Sequence, residues 1–123
     1  MQDRVAELTQ RMLRKKLFVV LSTATGGPDQ LKPHLAAHLD YMIALEKKGV
    51  VFASGPFTEA DGSPGRYGMT ILRAANAAEA RRHAEADPFV VAGLRSFELR
   101  EWTVMEGSLA IRVNFSDQTL EVN

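Results

Sequence analysis

Cysteine is absent from this chain, which excludes disulfides, thiolate metal sites and a thiol nucleophile. An excess of either charge is absent too: fifteen Lys and Arg balance fifteen Asp and Glu in 123 residues. Nothing in the bulk electrostatics therefore points to nucleic acid or an anionic membrane. The local basic run from Arg11 to Lys16 has no interleaved aromatics to stack on bases, and reads as a solvated helix end. No apolar run is long enough to span a bilayer. The opening residues, Met1 to Leu8, carry charges where a signal peptide needs an apolar stretch. The expected setting is cytoplasmic, with no nucleic acid and no membrane as partner. Repeats and low-complexity segments are also missing.

What remains is an ordinary globular mix, 46% hydrophobic and 24% charged, enough for one domain. Residues 2–14 suggest a short helix with Val5, Leu8, Met12 and Leu13 on one side. Residues 15–23 have a continuous apolar centre suited to a central strand buried on both faces. The Gly26–Asp29 segment breaks it. A helix over roughly 30–48 follows, with Leu31, Leu35, Leu39, Met42 and Ile43 as its buried stripe, Lys47 and Lys48 in its last turn, and Gly49 as its stop. Val50–Ala53 is the second strand, closed by a tight turn at Ser54-Gly55-Pro56.

Residues 58–65 are loop chemistry, and the third strand spans about 66–74. Tyr67, Met69 and Ile71 face one way; Gly68, Thr70 and Leu72 face the other. Asn76 opens an alanine-rich helix with Glu79 three residues on, a capping-box spacing. That helix ends near Asp87, where Pro88 disfavours helical geometry. Phe89–Gly93 reads as a half-turn, and 97–104 is the fourth strand. Its alternation slips phase between Phe97, Leu99 and Trp102, Val104, which implies a bulge near Arg100 or a sheet covered on both faces. Residues 109–122 form a small hairpin turning at 116–118.

The order strand, helix, strand, strand, helix, strand predicts an α+β fold, a ferredoxin-like βαββαβ arrangement with a four-stranded antiparallel sheet and two helices on one face. The other face also carries apolar side chains. A second copy is its simplest cover, so a homodimer through the sheet face is expected. The expected boundaries are an N-terminal helix at 1–14, the ferredoxin-like domain at 15–107 and a C-terminal hairpin extension at 108–123.

Chemistry centres on His38, one turn from Leu35 and from Met42. An ionisable ring on the core side of a helix needs a partner. Asp87, at the end of the second helix, can fix the imidazole tautomer and stabilise its charged form; the alternative is a core histidine bonded to a backbone carbonyl. His34 and His38 are four apart, as are His83 and Asp87, a spacing able to chelate one ion. No Glu follows His34, so the metalloprotease signature is missing, and a surface His34 with no metal site is the reading taken. Ser54 and Gly55 could offer a hydroxyl and a backbone N–H to an oxyanion, or form only a turn. There is no G-x-S-x-G elbow. Gly62–Gly65 lacks the lysine of a phosphate loop. Arg66, Arg73 and Arg95 could meet an anionic substrate, or be solvated strand-edge charges.

His38-Leu39, Gly49, Ala53-Ser54-Gly55-Pro56, Ala86-Asp87-Pro88-Phe89, Gly93 and Trp102, in that order, resemble the YCII-related (YciI-like) family over roughly residues 15–106. The resemblance implies a dimeric α+β barrel with a pocket between sheet and helices and a His-Asp pair at its base. His38 and Asp87 take those places, and Ser54 lines the pocket. The family is similar in fold to muconolactone isomerases and includes a dehydrochlorinase acting on a chlorinated hydroxyquinol. The resulting expectation is an enzyme without metal or organic cofactor. His38 and Asp87 transfer a proton in an elimination or isomerisation, with Ser54, Gly55, Pro56 and Phe89 around a small aromatic or cyclic substrate. Phe18, Met42, Phe52 and Phe89 are expected to line the pocket. The competing expectation is a non-catalytic small-ligand binder or accessory subunit on the same dimer.

Overall fold

A four-stranded antiparallel sheet with its helices packed on one face organises the chain. The structure is a computed structural model that describes residues 2–123; Met1, at the head of the expected N-terminal segment, lies outside the described residues. The chain divides into two compact units, Lys16–Thr103 and one formed by the residues up to Lys15 together with Val104–Asn123.

The larger unit carries the sheet: β1 (Lys15–Ala24), β2 (Val51–Thr58), β3 (Pro64–Leu72) and β4 (Arg95–Val104), in the order β2-β3-β1-β4. The central place of β1 agrees with its apolar run. Its alternate residues Phe18, Val20, Ser22 and Ala24 are buried. Register pairs Phe18 with Leu72, Val20 with Thr70 and Ser22 with Gly68, and opposed residues share a face. Phe18, Val20 and Leu72 form the core with Ala80 and Ala84, flanked by Val50, Phe97 and Leu99. Phe18 therefore belongs to this core, where its ring fills the space under two alanines, and not to a pocket wall as expected. Phe97 and Leu99 pack on the core and Trp102 takes the opposite phase, so both faces of β4 carry apolar groups.

The helix expected over 30–48 is three pieces: α2 (Pro28–Leu31), a 3₁₀ turn at Lys32–His34, and α3 (Leu35–Lys47). Pro33 explains the division, because its ring removes an N–H and clashes with the preceding turn of a continuous helix. At the far end Gly49 has φ +78°. Val50 N donates to Leu45 O and Gly49 N to Glu46 O, each at 2.9 Å, a Schellman closure. The expected buried stripe is also corrected. Leu35, Leu39 and Ile43 are about half exposed, and Leu45 is the buried residue of α3. The helix turns its apolar stripe to an open cavity rather than to a packed core.

The Ser54-Gly55-Pro56 turn does not exist. All three residues lie inside β2, paired with Thr70, Met69 and Gly68. An edge strand tolerates proline, since no neighbour needs the missing N–H, and register shifts at Val51/Ala53 and Pro56/Thr58 mark the irregularity.

α4 (Ala77–Glu85) starts at Asn76, whose side chain accepts from Glu79 N at 2.9 Å. Glu79 reaches back one residue further than a standard capping box, to Ala75 N at 3.0 Å. The small faces of Ala80 and Ala84 let α4 sit close on the sheet. The expected half-turn is a single helical turn, α5 (Pro88–Val91).

In the smaller unit α1 (Gln2–Thr9) ends well short of residue 14, and Arg14 takes a left-handed φ of 50°. Leu13 N donates to Met105 O at 3.3 Å. β5 (Ile111–Asn114) and β6 (Thr119–Val122) make the expected hairpin.

Two glycines are constrained by different means. A Cβ at Gly65 would stand 2.9 Å from the backbone oxygen of Phe57, and backbone cannot swing aside. At Gly49 the obstacle is the positive φ. Gly65→Ala and Gly49→Ala are each expected to destabilise the fold by about 1–2 kcal/mol, read as a lower urea midpoint at unchanged m-value. Gly27→Ala, where a Cβ meets nothing within 4 Å and φ is −78°, serves as the control and stays near wild type.

Candidate functional site

Pro88 decides where the acid goes. The residue before a proline is pushed to extended geometry, and Asp87 has φ −58° and ψ 127°. Its carboxylate folds over the start of α5 and accepts from Phe89 N at 2.9 Å. The same oxygen, Oδ1, lies 2.8 Å from His38 Nδ1. Both side chains are largely buried, 14% exposed for His38 and 12% for Asp87. A carboxylate accepts at this bond, so Nδ1–H donates in either charge state. In neutral His38 that leaves Nε2 as the acceptor, with no hydrogen-bond partner among the described residues.

Phe89 holds the imidazole a second way. The two rings stack with centroids 4.5 Å apart at 27°. Asp87, Pro88 and Phe89 thus supply the acid, its backbone direction and the surface on which the histidine lies. One turn along α3, Tyr41 donates to His83 O at 2.6 Å and so ties α3 to α4. Burial, and secondarily the charge of Asp87, push the Tyr41 phenol above its ordinary value, so it stays protonated and remains the donor.

In front of His38 lies a cavity of about 670 Å³ between α3 and the β2–β3 side of the sheet. Of the residues singled out in the sequence, His38, Ser54, Gly55, Pro56 and Phe89 all line it. Asp87 instead lines a much smaller space of about 20 Å³, with Tyr41 and Ser22. Met42 and Phe52 line the large cavity as expected. Ser54 Oγ is 2.7 Å from Thr70 Oγ1; whichever hydroxyl donates, the other keeps its proton for a ligand. A Cβ at Gly55 would meet nothing within 4 Å, so steric need does not account for that glycine.

His34 does not line the cavity, and among the described residues no three His, Asp or Glu side chains converge as metal ligands. His83 Nε2 faces Glu79 Oε1 at 3.9 Å. Arg73 bonds Gly49 O and Val51 O and covers the ring of Phe52. The two other arginines line the cavity. Arg66 donates to Ala24 O at 3.2 Å, and Arg95 rests over Phe89, 4.6 Å from the ring centroid. Burial lowers the pKa of Arg95, and Asp87 partly opposes that. Strand phase held the signal for both. Arg95 precedes Phe97 and Leu99 at period two, and Arg66 precedes Gly68, Thr70 and Leu72.

Among the described residues no helix is long and apolar enough to cross a membrane. A comparison with curated protein sequences returned no significant match. Among solved structures, the chain is similar to 5-chloro-2-hydroxyhydroquinone dehydrochlorinase from Burkholderia phenoliruptrix AC1100, in complex with 2,5-dihydroxybenzoquinone. The TM-score is 0.59 at 27% sequence identity, with 70% of this chain and 92% of that one covered. The profile of the YCII-related domain matches residues 16–103, the span that holds the whole sheet core, the cavity and the His38–Asp87 pair: the chain belongs to the YCII-related family.

Proposed function

We propose that the protein is an enzyme of small-molecule elimination or isomerisation in which His38 is the general base and acid, and Asp87 orients it. The observation that carries this is the 2.8 Å bond between His38 Nδ1 and Asp87 Oδ1 behind a ligand-sized cavity. Asp87 keeps the proton on Nδ1, and Nε2 accepts one from the substrate. The imidazolium so formed is stabilised by the adjacent carboxylate. In an elimination, the electron pair left behind forms the new double bond. A leaving group departs with its own pair from a carbon conjugated to it. In an isomerisation, Nε2–H returns the proton to a different carbon. The hydroxyls of Ser54 and Thr70 stand at the opposite wall, where they can donate to the oxygen on which negative charge develops. Met42, Phe52 and Phe89 give apolar walls suited to a ring. The dehydrochlorinase to which the chain is similar makes a chlorinated hydroquinone the first substrate class to try.

We also propose a homodimer through the sheet face away from the helices. Val19, Leu21, Met69 and Ile71 share that face by register. A groove of about 620 Å³ crosses it, edged by Phe57 and Tyr67, both about half exposed. A surface of that character calls for a cover.

On a panel of chlorinated hydroquinones and unsaturated lactones, His38→Ala is expected to lower kcat by about 10²–10⁴-fold, the range of a lost general base. Asp87→Asn is expected to lower kcat by at least about tenfold, since an amide can hold the ring in the wrong tautomer. Wild-type ligand binding without turnover of any panel member would falsify the enzyme reading and leave a binding protein. For the assembly, light scattering is expected to give twice the monomer mass for wild type and the monomer mass for Leu21→Glu. A wild-type monomer at micromolar concentration would sink the dimer.

A further inference from the structure

Arg95 carries five N–H donors on a rigid guanidinium plane, yet it makes no hydrogen bond and no ion pair among the described residues. Its Nε is buried without a partner. Burial lowers its pKa, so the charged form is held where water solvates it poorly. The plane lies over Phe89, the same ring against which the His38 imidazole stacks, and it forms part of the wall of the large cavity. Asp87 attracts it but forms no ion pair with it, and Asp87 Oδ1 is committed to His38 Nδ1 and Phe89 N. A buried guanidinium nitrogen is normally paired.

Arg66 lines the same cavity with one nitrogen bonded to Ala24 O and its other donors available. The carboxylate that also reaches this wall, Glu46, is 59% exposed and sits 3.6 Å from Lys47 Nζ, so it neither pairs with Arg95 nor offsets it inside. Apart from these groups the lining is apolar or hydroxylic.

We propose that Arg95 is the anion-recognition residue of this cavity, so that the ligand carries a full negative charge, as a carboxylate or an ionised enol or phenol, beside His38. This rests on the cavity being the ligand site, and it adds the charge and the residue that reads it. A planar anion matches a guanidinium fork in a way that a neutral ring does not. The site then discriminates by charge first and by ring shape second. Arg95 also supplies a reason for the proton to leave toward His38: a developing enolate or phenolate gains a cation one ring away.

The test uses a matched pair of probes, 2,5-dihydroxybenzoate and 2,5-dihydroxybenzamide, titrated into the full chain and followed by ¹H–¹⁵N correlation spectra and calorimetry. In wild type the acid is expected to bind about tenfold or more tighter than the amide, the gain of one charge-assisted pair, with shifts at His38 and Phe89. Arg95→Gln is expected to bring the two affinities within about twofold by weakening the acid alone, and Arg95→Lys to keep part of the preference, as loss of the fork but not of the charge requires. Equal affinities in wild type overturn the proposal whether or not the glutamine variant folds, as does a preference that survives in Arg95→Gln. If the amide binds at His38 as well as the acid does, the anion assignment fails and the cavity stands. If neither probe moves those resonances at millimolar concentration, the cavity reading fails with it.

Discussion

One carboxylate oxygen holds the candidate site together. Asp87 Oδ1 accepts from a backbone N–H two residues on and from an imidazole 49 residues back in the chain. The first bond is local and set by Pro88; the second fixes α3 against the start of α5. Hydrogen bonds to charged groups contribute about 1.5–3 kcal/mol each, and a buried carboxylate stripped of one partner is costly. The arrangement is therefore structural and chemical at once. The bond that aligns the ring for proton transfer also keeps the helix carrying it in position.

The helical layer is uneven, and that unevenness makes the cavity. Ala80 and Ala84 bring α4 down onto Phe18, Val20 and Leu72, where the packing is closed. α3 is secured at one end by Gly49 and Leu45, at its middle by Tyr41 and His38, and it leaves Leu35, Leu39 and Ile43 facing open space above β2. A helix held by hydrogen bonds to a closely packed neighbour can stand off a sheet without collapsing onto it.

Much of this was legible in the sequence, and the failures share a cause. The element order, the capping at Asn76 and the stop at Gly49 follow from local chemistry, whereas spacing alone leaves a backbone-bonded His38 open and the family resemblance is what favours its tie to Asp87. What misled was context. Leu35, Leu39 and Ile43 have the spacing of a buried stripe, and spacing cannot distinguish a core from a cavity. Ser54-Gly55-Pro56 has the composition of a turn, and composition does not know that its strand lies at an edge. Phe18 is apolar enough for either a wall or a core. Arg95 stood open between an anionic-substrate contact and a solvated strand-edge charge, and its period-two phase with Phe97 and Leu99 is what places it on the cavity side.

Pro56 in β2 carries a consequence for assembly. An outermost strand with free main-chain groups is a template for another polypeptide to zip onto. Here a missing amide hydrogen and two register slips interrupt that template along the rim of the cavity. Lateral sheet extension is thereby discouraged on the very border strand whose Ser54, Gly55 and Pro56 line the cavity.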